Sequence, residues 1–209
     1  IKLVLLLFSS LILKTYNMIL PIIAYGNPVL RKKCEIISKN YKGLSKLISN
    51  MWETMYASSG VGLAAPQIGL SIRMFIVDAS PFSEDDKLDI VERTNLSTFK
   101  KVFINPELIA TTNELNTFNE GCLSIPDIRE DVVRENEILI KYYDENFIKH
   151  ELKLDGLRAR VVQHEFDHIQ GVLFTDKLSV FKKKLLKGKL NNISKGKVKS
   201  DYSMSFYKK

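Results

Sequence analysis

Two of the three histidines in this chain stand four residues apart, at positions 164 and 168. On an α-helix this spacing puts both residues on one face, so His164 and His168 can direct their imidazoles at a single metal ion. Glu165 follows the first of them, where its carboxylate can take a proton from an attacking water without occupying the metal. The pattern predicts a hydrolytic metal centre; the alternative is two surface histidines on an amphipathic helix.

A third ligand is needed, because a catalytic site of this kind usually has three protein ligands and an open position for water. Zinc metalloproteases usually take a downstream His or Glu, and this chain has neither after His168. Upstream, Cys122 lies in the sequence EGCLS, where the preceding glycine allows a close backbone approach. A thiolate binds borderline-soft divalent ions well, so we expect Cys122 to be the third ligand. The other cysteine, Cys34, has no motif around it.

A glycine-rich segment, GVGLAAPQ, occupies residues 60–67. Its glycines and small alanines allow close packing beside a site, and Gln67 can offer an amide N–H to a developing oxyanion. The segment lacks the G-x-G-x-x-G order and the lysine of a phosphate loop, which argues against nucleotide binding.

The elements that must position these residues follow from the hydrophobic periodicity. Helical spacing predicts one helix over residues 44–55, ended at 58–60, and a second over 157–170 that carries both histidines. Strands are predicted at residues 72–77, 102–104, 137–143 and 147–154. Because strands precede a late helix, we predict an α+β fold with antiparallel β-sheets around a central helix that bears the histidines, followed by a C-terminal helix or tail. The acidic, polar residues 80–99 are predicted to be a surface excursion.

Composition places the chain among soluble globular proteins. Of its 209 residues, 45% are hydrophobic and 26% charged, which excludes wholesale disorder, and two cysteines cannot make a disulfide framework. The length fits one compact domain. The net charge of +7 is concentrated near the C-terminus, where residues 177–209 hold eleven lysines and one acidic residue.

The N-terminal segment is interpreted separately. Residues 1–13 are mostly apolar but too short to span a membrane, and no small-x-small cleavage site follows. We interpret residues 1–17 as upstream sequence read through before an initiator at Met18; the alternative is a genuine export or organelle signal. The predicted organisation is therefore an extension at 1–17, a single catalytic domain at 18–178, and a Lys-rich C-terminal helix or tail at 179–209.

Taken together, three segments resemble the three motifs of the peptide deformylase family. These are GVGLAAPQ at 60–67, EGCLS at 120–124 and QHEFDHIQG at 163–171, in that family's order and at similar separations. The resemblance extends from about Met18 to about Leu178. Departures are small: Ile169 stands where Leu is usual, residues 80–99 look like an insertion, and the lysine-rich tail is longer than the minimal core.

The resemblance implies a metal-dependent hydrolase that removes the formyl group from the N-terminal formyl-methionine of newly made polypeptides and releases formate. It implies that the metal is held by Cys122, His164 and His168. It further implies that Glu165 accepts a proton from the attacking water and later gives it to the departing amine. The metal, the side-chain amide of Gln67 and the backbone N–H of Leu123 would stabilise the oxyanion.

Several further residues are candidates for substrate binding. An apolar pocket for the methionine side chain is predicted to be lined by Val61, Ile125, Leu157 and Val161. Backbone groups of Gly62 and Gly121 would bind the peptide as an added strand, and Arg129 would contact its carbonyls. Glu120 and Arg134 are predicted to form an ion pair that steadies the Cys122 loop.

Two imidazoles and a thiolate suit Fe²⁺, Zn²⁺, Co²⁺ or Ni²⁺, and the resemblance implies Fe²⁺. The expected partners are N-formyl-Met nascent peptides, and neither DNA nor a membrane is expected to be bound. The expected location is the cytoplasm; export or an organelle is expected only if residues 1–17 are a signal. The lysine-rich tail is either a solvated, partly disordered end or a contact with ribosomal RNA.

Two alternative classes stay open. One is a zinc endopeptidase of the HExxH type, disfavoured by the upstream cysteine. The other is a non-catalytic module with a structural metal, which would need four protein ligands.

Overall fold

The structure is a computed structural model that describes residues 18–208, so the extension predicted at 1–17 lies outside the described residues. Its helices are α1 Leu44–Ala57, α2 Ile90–Ser97, α3 Gly156–Ile169 and α4 Val180–Ser194. Its strands are β1 Ile22–Ile23, β2 Gly62–Ala64, β3 Met74–Asp78, β4 Lys100–Thr111, β5 Leu115–Cys122, β6 Ile125–Glu135, β7 Glu137–Tyr143, β8 Lys149–Asp155 and β9 Met204–Ser205. Short 3₁₀ turns lie at Pro28–Arg31, Ala65–Ile68, Ser80–Glu84 and Phe174–Lys177.

The principal sheet has five antiparallel strands in the order β2-β3-β4-β7-β8. A separate antiparallel hairpin is formed by β5 and β6, and a third pair, β1 with β9, is parallel. The predicted combination of helices with antiparallel sheet is confirmed. The parallel pair departs from that prediction, because β1 and β9 come from opposite ends of the chain and no hairpin connects them.

The side chains of β3 alternate between two cores, which explains why its sequence is apolar throughout. Phe75 and Val77 belong to the core that also holds Val162 of α3. Met74 and Ile76 point the other way, into a core with the methionines of α1. Because successive strand residues face opposite sides, both faces of the sheet are covered, and α3 is held firmly against one of them.

The region predicted as a surface excursion contains helix α2. Asp89 begins this helix, since its side chain accepts hydrogen bonds from the backbone N–H groups of Val91 and Glu92. Leu96 is fully buried and anchors the helix to the core beneath α3. The acidic residues before the helix favoured a surface loop in the sequence analysis, and the capping residue Asp89 and the apolar Leu96 were not recognised as signs of a helix.

The C-terminal region contains helix α4 and strand β9, so the predicted C-terminal helix is present within residues 18–208. Helix α4 begins at Ser179, whose side chain accepts a hydrogen bond from the N–H of Lys182. One face of α4 is buried in a third core with residues of β6, through Leu186, Leu190 and Ile193. Among residues 18–208, no helix combines the length and apolar character that crossing a membrane requires.

Candidate metal centre

Helix α3 and the end of strand β5 bring three potential metal ligands together. The Sγ of Cys122 lies 3.3 Å from Nε2 of His168. One ligand atom from each of Cys122, His164 and His168 lies within 4.8 Å of the other two. The two histidines are neighbours on α3, and the register of the β5–β6 hairpin shifts between Gly121 and Cys122, which directs the cysteine out of the regular ladder.

The donor set fits a divalent transition metal. Nδ1 of His164 donates a hydrogen bond to Oε2 of Glu120 at 2.9 Å, which leaves Nε2 as the ligand atom. Burial lowers the pKa of His168 well below its ordinary value, so this imidazole is neutral. Burial would also lower the pKa of His164, but hydrogen bonds with Cys122 and Glu120 raise it to about 10, so a metal must compete with a proton there.

A buried network of charged groups lies behind the ligands, with Glu120 at its hub. Its carboxylate accepts hydrogen bonds from Nε of Arg134 at 2.6 Å and from Nη1 of Arg160 at 3.0 Å. Arg134 also donates to Asp167 at 2.6 Å. Burial would raise the pKa of Glu120, yet hydrogen bonds from His164 and Arg134 hold it well below its usual range. Glu120 therefore stays ionised and fixes the tautomer of His164.

Glu165 differs from Glu120 in having no strong partner. Its side chain is almost fully buried, and its Oε2 has no hydrogen-bond partner within residues 18–208. Burial raises the pKa of Glu165 to about 7. A Cβ placed on Gly62 would overlap this carboxylate, so the absence of a side chain at Gly62 makes room for it. A carboxyl group that titrates near neutrality beside metal ligands is suited to proton transfer.

Gln67 reaches the same centre from the 3₁₀ turn Ala65–Ile68. Its Oε1 accepts a hydrogen bond from the N–H of Ala64 at 2.8 Å, which orients the amide. Its Nε2 then donates to Oγ of Ser124 at 3.4 Å and lies 3.5 Å from Sγ of Cys122. The amide N–H groups therefore face the cysteine loop.

Comparison with known proteins agrees with this arrangement. A family model described as polypeptide deformylase matches residues 19–184. The chain belongs to the polypeptide deformylase family. A peptide deformylase of Christiangramia forsetii is 59% identical over 189 residues, covering 90% of this chain and 96% of that protein. One of Flavobacterium psychrophilum is 58% identical over 192 residues, covering 92% and 99%. The prediction of the family from three short motifs is thus confirmed.

A solved structure extends the similarity to the fold. The crystal structure of a peptide deformylase from Legionella pneumophila superposes with a TM-score of 0.71 at 34% identity, covering 86% of this chain and 98% of that one. The fold assembled from α3, the five-stranded sheet and the β5–β6 hairpin is therefore that of the deformylase family.

A cleft of about 680 Å³ opens beside the potential metal ligands of this deformylase-family chain. Six of the seven residues predicted to bind substrate line it, namely Val61, Gly62, Gly121, Ile125, Arg129 and Val161. Leu157 does not: it lies in the first turn of α3, packs against the core on that side of the sheet, and donates its N–H to Glu92. Arg129 is held by hydrogen bonds to Asn119 across the hairpin.

Some of the residues that lie at the site were not identified from the sequence. Arg160 precedes His164 by four residues and so lies on the same face of α3, a signal that was available. Asp167 stands inside the motif and pairs with Arg134. Residues 199–202 also line the cleft, and no local pattern indicates that a segment so distant in sequence reaches it.

Proposed function

We propose that this protein is a metal-dependent hydrolase that removes the formyl group from the N-terminal formyl-methionine of newly made polypeptides, releasing formate. The observation that carries the proposal is the convergence of Cys122, His164 and His168 beside a cleft that also contains Glu165. The family membership supports the same activity. Within the described residues the ligand group has three members, which leaves room for substrate or water.

The proposed metal is Fe²⁺, held by Cys122, His164 and His168, with Zn²⁺, Co²⁺ and Ni²⁺ as the ions that could replace it. When bound, the ion acts as a Lewis acid that activates water and polarises the formyl oxygen. Sensitivity of activity to air, with dependence on iron supply, is expected for a ferrous ion bound by a thiolate. Activity indifferent to both would exclude iron.

Glu165 is proposed as the general base and acid. Its carboxylate accepts a proton from the water that attacks the formyl carbon and delivers that proton to the departing amine nitrogen. Its pKa of about 7, raised by burial, allows both halves of this transfer near neutral pH. The unpartnered Oε2 supports the assignment, because a carboxylate serving only structure would be hydrogen-bonded within the protein.

The oxyanion that develops on the formyl oxygen is proposed to be stabilised by Nε2 of Gln67 and the backbone N–H of Leu123. The methionine side chain would enter the part of the cleft formed by Val61, Ile125 and Val161. The peptide would lie between the segments of Gly62 and Gly121 as an added strand, with Arg129 near its carbonyl groups, and the Glu120–Arg134 ion pair would steady the Cys122 loop.

The direct test is incubation of the iron-loaded protein with formyl-Met-Ala-Ser, with formate measured. We expect formate from the native protein and a fall of about 10²- to 10⁴-fold for Glu165→Ala at unchanged metal content. An unformylated peptide with several internal bonds is the control for endopeptidase activity. Internal cleavage without formate release would replace the proposal by the HExxH endopeptidase, and full activity of Glu165→Ala would remove the assigned base.

The lysine-rich helix α4 is proposed to contact ribosomal RNA, which would place the enzyme close to its nascent substrates in the cytoplasm. Exposed lysines of α4, among them Lys184 and Lys187, support this by offering positive charge to phosphates. The proposed organisation is a catalytic region at 18–178 and a basic C-terminal region at 179–209.

A further inference from the structure

The chain after α4 turns back to the active-site cleft. Strand β9 lies parallel to β1, and the N–H of Ile22 donates to the carbonyl of Ser203 at 2.9 Å. A second bond of 2.9 Å joins the N–H of Ala24 to the carbonyl of Ser205. This pairing fixes the preceding residues, 199–202, along one wall of the cleft. We call residues 199–202 the C-terminal wall.

Tyr202 connects the C-terminal wall to the loop that follows the metal-ligand cysteine. Its hydroxyl donates a hydrogen bond of 2.8 Å to the carbonyl of Leu123. The ring is partly buried and packs with residues of the α1 core. Burial raises the pKa of Tyr202 to about 12, so the hydroxyl keeps the proton it donates at physiological pH.

The loop at residues 123–124 is held from three directions. The carbonyl of Ser124 accepts a hydrogen bond of 2.8 Å from the N–H of Tyr25, and the hydroxyl of Ser124 accepts one of 3.4 Å from Gln67. The bond from Tyr202 restrains Leu123 itself. Only the φ and ψ torsions of Leu123 separate its carbonyl from its own N–H, so holding the carbonyl narrows the directions that this N–H can take.

We propose that Tyr202 is a positioning residue for deformylation, which acts through Leu123 by keeping the loop's backbone N–H aimed at the developing oxyanion. The inference rests on the proposed function. The supporting geometry is the 2.8 Å hydrogen bond from the hydroxyl of Tyr202 to the carbonyl of Leu123. Leu123 is the residue whose backbone N–H is proposed to stabilise the oxyanion. A C-terminal segment outside the three motifs thereby takes part in the reaction.

The test compares Tyr202→Phe with Tyr207→Phe in the full-length, metal-loaded protein. Tyr202→Phe removes one hydroxyl and keeps the packed ring. Tyr207→Phe removes a hydroxyl from an exposed tyrosine five residues further along the chain. For Tyr202→Phe we expect kcat for formyl-Met-Ala-Ser to fall about three- to tenfold, since one neutral hydrogen bond is removed. KM is expected to stay within about twofold because the oxyanion forms only in the transition state.

Three further readouts separate positioning from general loss of structure. Metal content of Tyr202→Phe is expected to equal that of Tyr207→Phe, and its thermal midpoint is expected to lie no more than a few degrees lower, the cost of one hydrogen bond. Amide hydrogen exchange of a fragment spanning residues 121–125 is expected to be faster in Tyr202→Phe alone. Unchanged kcat in an active protein overturns the inference, as does a fall in kcat matched by unfolding.

Failure of the proposed function gives a different result. If the native protein releases no formate, the proposed function fails, and the exchange measurement still decides whether Tyr202 holds the loop. Equal exchange in both variants then overturns the positioning role as well.

Discussion

Helices α3 and α4 both carry many charged residues, but α3 buries several of its charged side chains whereas α4 exposes most of its own. On α3, Arg160 and Glu165 are buried, and Arg160 is bound to Glu120. On α4, Lys184 and Lys187 are exposed, and the buried positions are leucines and an isoleucine. On α3, Arg160 is therefore paired inside the protein while Glu165 is buried without a hydrogen-bond partner for its Oε2 among residues 18–208, whereas the exposed lysines of α4 form a positive surface.

This difference predicts where substitutions will change stability or activity. A buried ion pair is costly to break because the remaining partner is left charged and unsolvated. An exposed pair is screened by water and contributes little. The catalytic side of the molecule should therefore respond to single-atom changes, and the α4 side only to changes in total charge.

The largest effect is expected for Arg134→Ala, because the buried carboxylate of Glu120 loses the guanidinium that binds both its oxygens, and Asp167 loses the shorter of its two ion pairs. We expect the free energy of unfolding to fall by about 3–5 kcal/mol in urea denaturation. The matched surface change is Lys182→Ala, which removes a partly exposed pair with Glu130. No measurable change is expected there, and equal effects of the two variants would refute the comparison.

A smaller but still large effect on activity is expected for Gly62→Ala. The added Cβ would overlap the carboxylate of Glu165, which must shift from its present position. A displacement of about 1 Å at a reacting group can cost about 10²-fold, so we expect kcat to fall by about that factor. Formate release at saturating formyl-Met-Ala-Ser measures it. Retention of native kcat would show that Glu165 tolerates displacement.

For α4, we expect Lys184→Glu combined with Lys187→Glu to leave activity on formyl-Met-Ala-Ser unchanged. Co-sedimentation with ribosomes should weaken, and the slope of log affinity against log salt should become shallower by about 0.7–0.9 for each phosphate that α4 no longer neutralises. A variant with Lys39→Glu and Lys42→Glu, two exposed lysines before α1, controls for net charge. Equal weakening in both variants would show that α4 does not bind the ribosome.

The smallest effect is expected for Gly188→Ala within α4. Among residues 18–208, no atom other than those of the adjoining helix backbone and the two chain neighbours lies within 4 Å of the added Cβ, and the backbone at this position is helical. Alanine loses less backbone entropy than glycine on helix formation, so we expect stability to rise by about 0.5–1 kcal/mol. Thermal and urea unfolding measure the change. A loss of stability would indicate that the face of α4 at position 188 packs against another part of the protein.

Much of the site was predictable because its residues lie in short, contiguous segments. Helical spacing identified His164 and His168 as neighbours, and α3 runs from Gly156 to Ile169, close to the predicted 157–170. The pocket was less predictable. Leu157 has the right chemistry for an apolar lining, but it packs against the core beneath α3 rather than lining the cleft.

The β5–β6 hairpin shows why other elements escaped prediction. Strand β5 is mostly exposed, so it lacks the buried alternation that identifies a strand. Its polar residues resemble a loop when they are considered without their partner strand. Pairing with β6 over eight positions supplies the order that the local sequence does not indicate.

By itself, the sequence determined the family. It also predicted the three potential metal ligands and the proposed general base, because each prediction depends on residue type and on spacing within one turn or one loop. Only the tertiary structure decided which carboxylate is ionised and which titrates near neutrality. Glu120 and Glu165 are the same residue type, and their pKa values diverge because Arg134 and His164 hydrogen-bond one of them while burial dominates at the other. Tertiary folding likewise brought Tyr202 to Leu123, because contacts between residues so far apart arise from packing and not from local sequence.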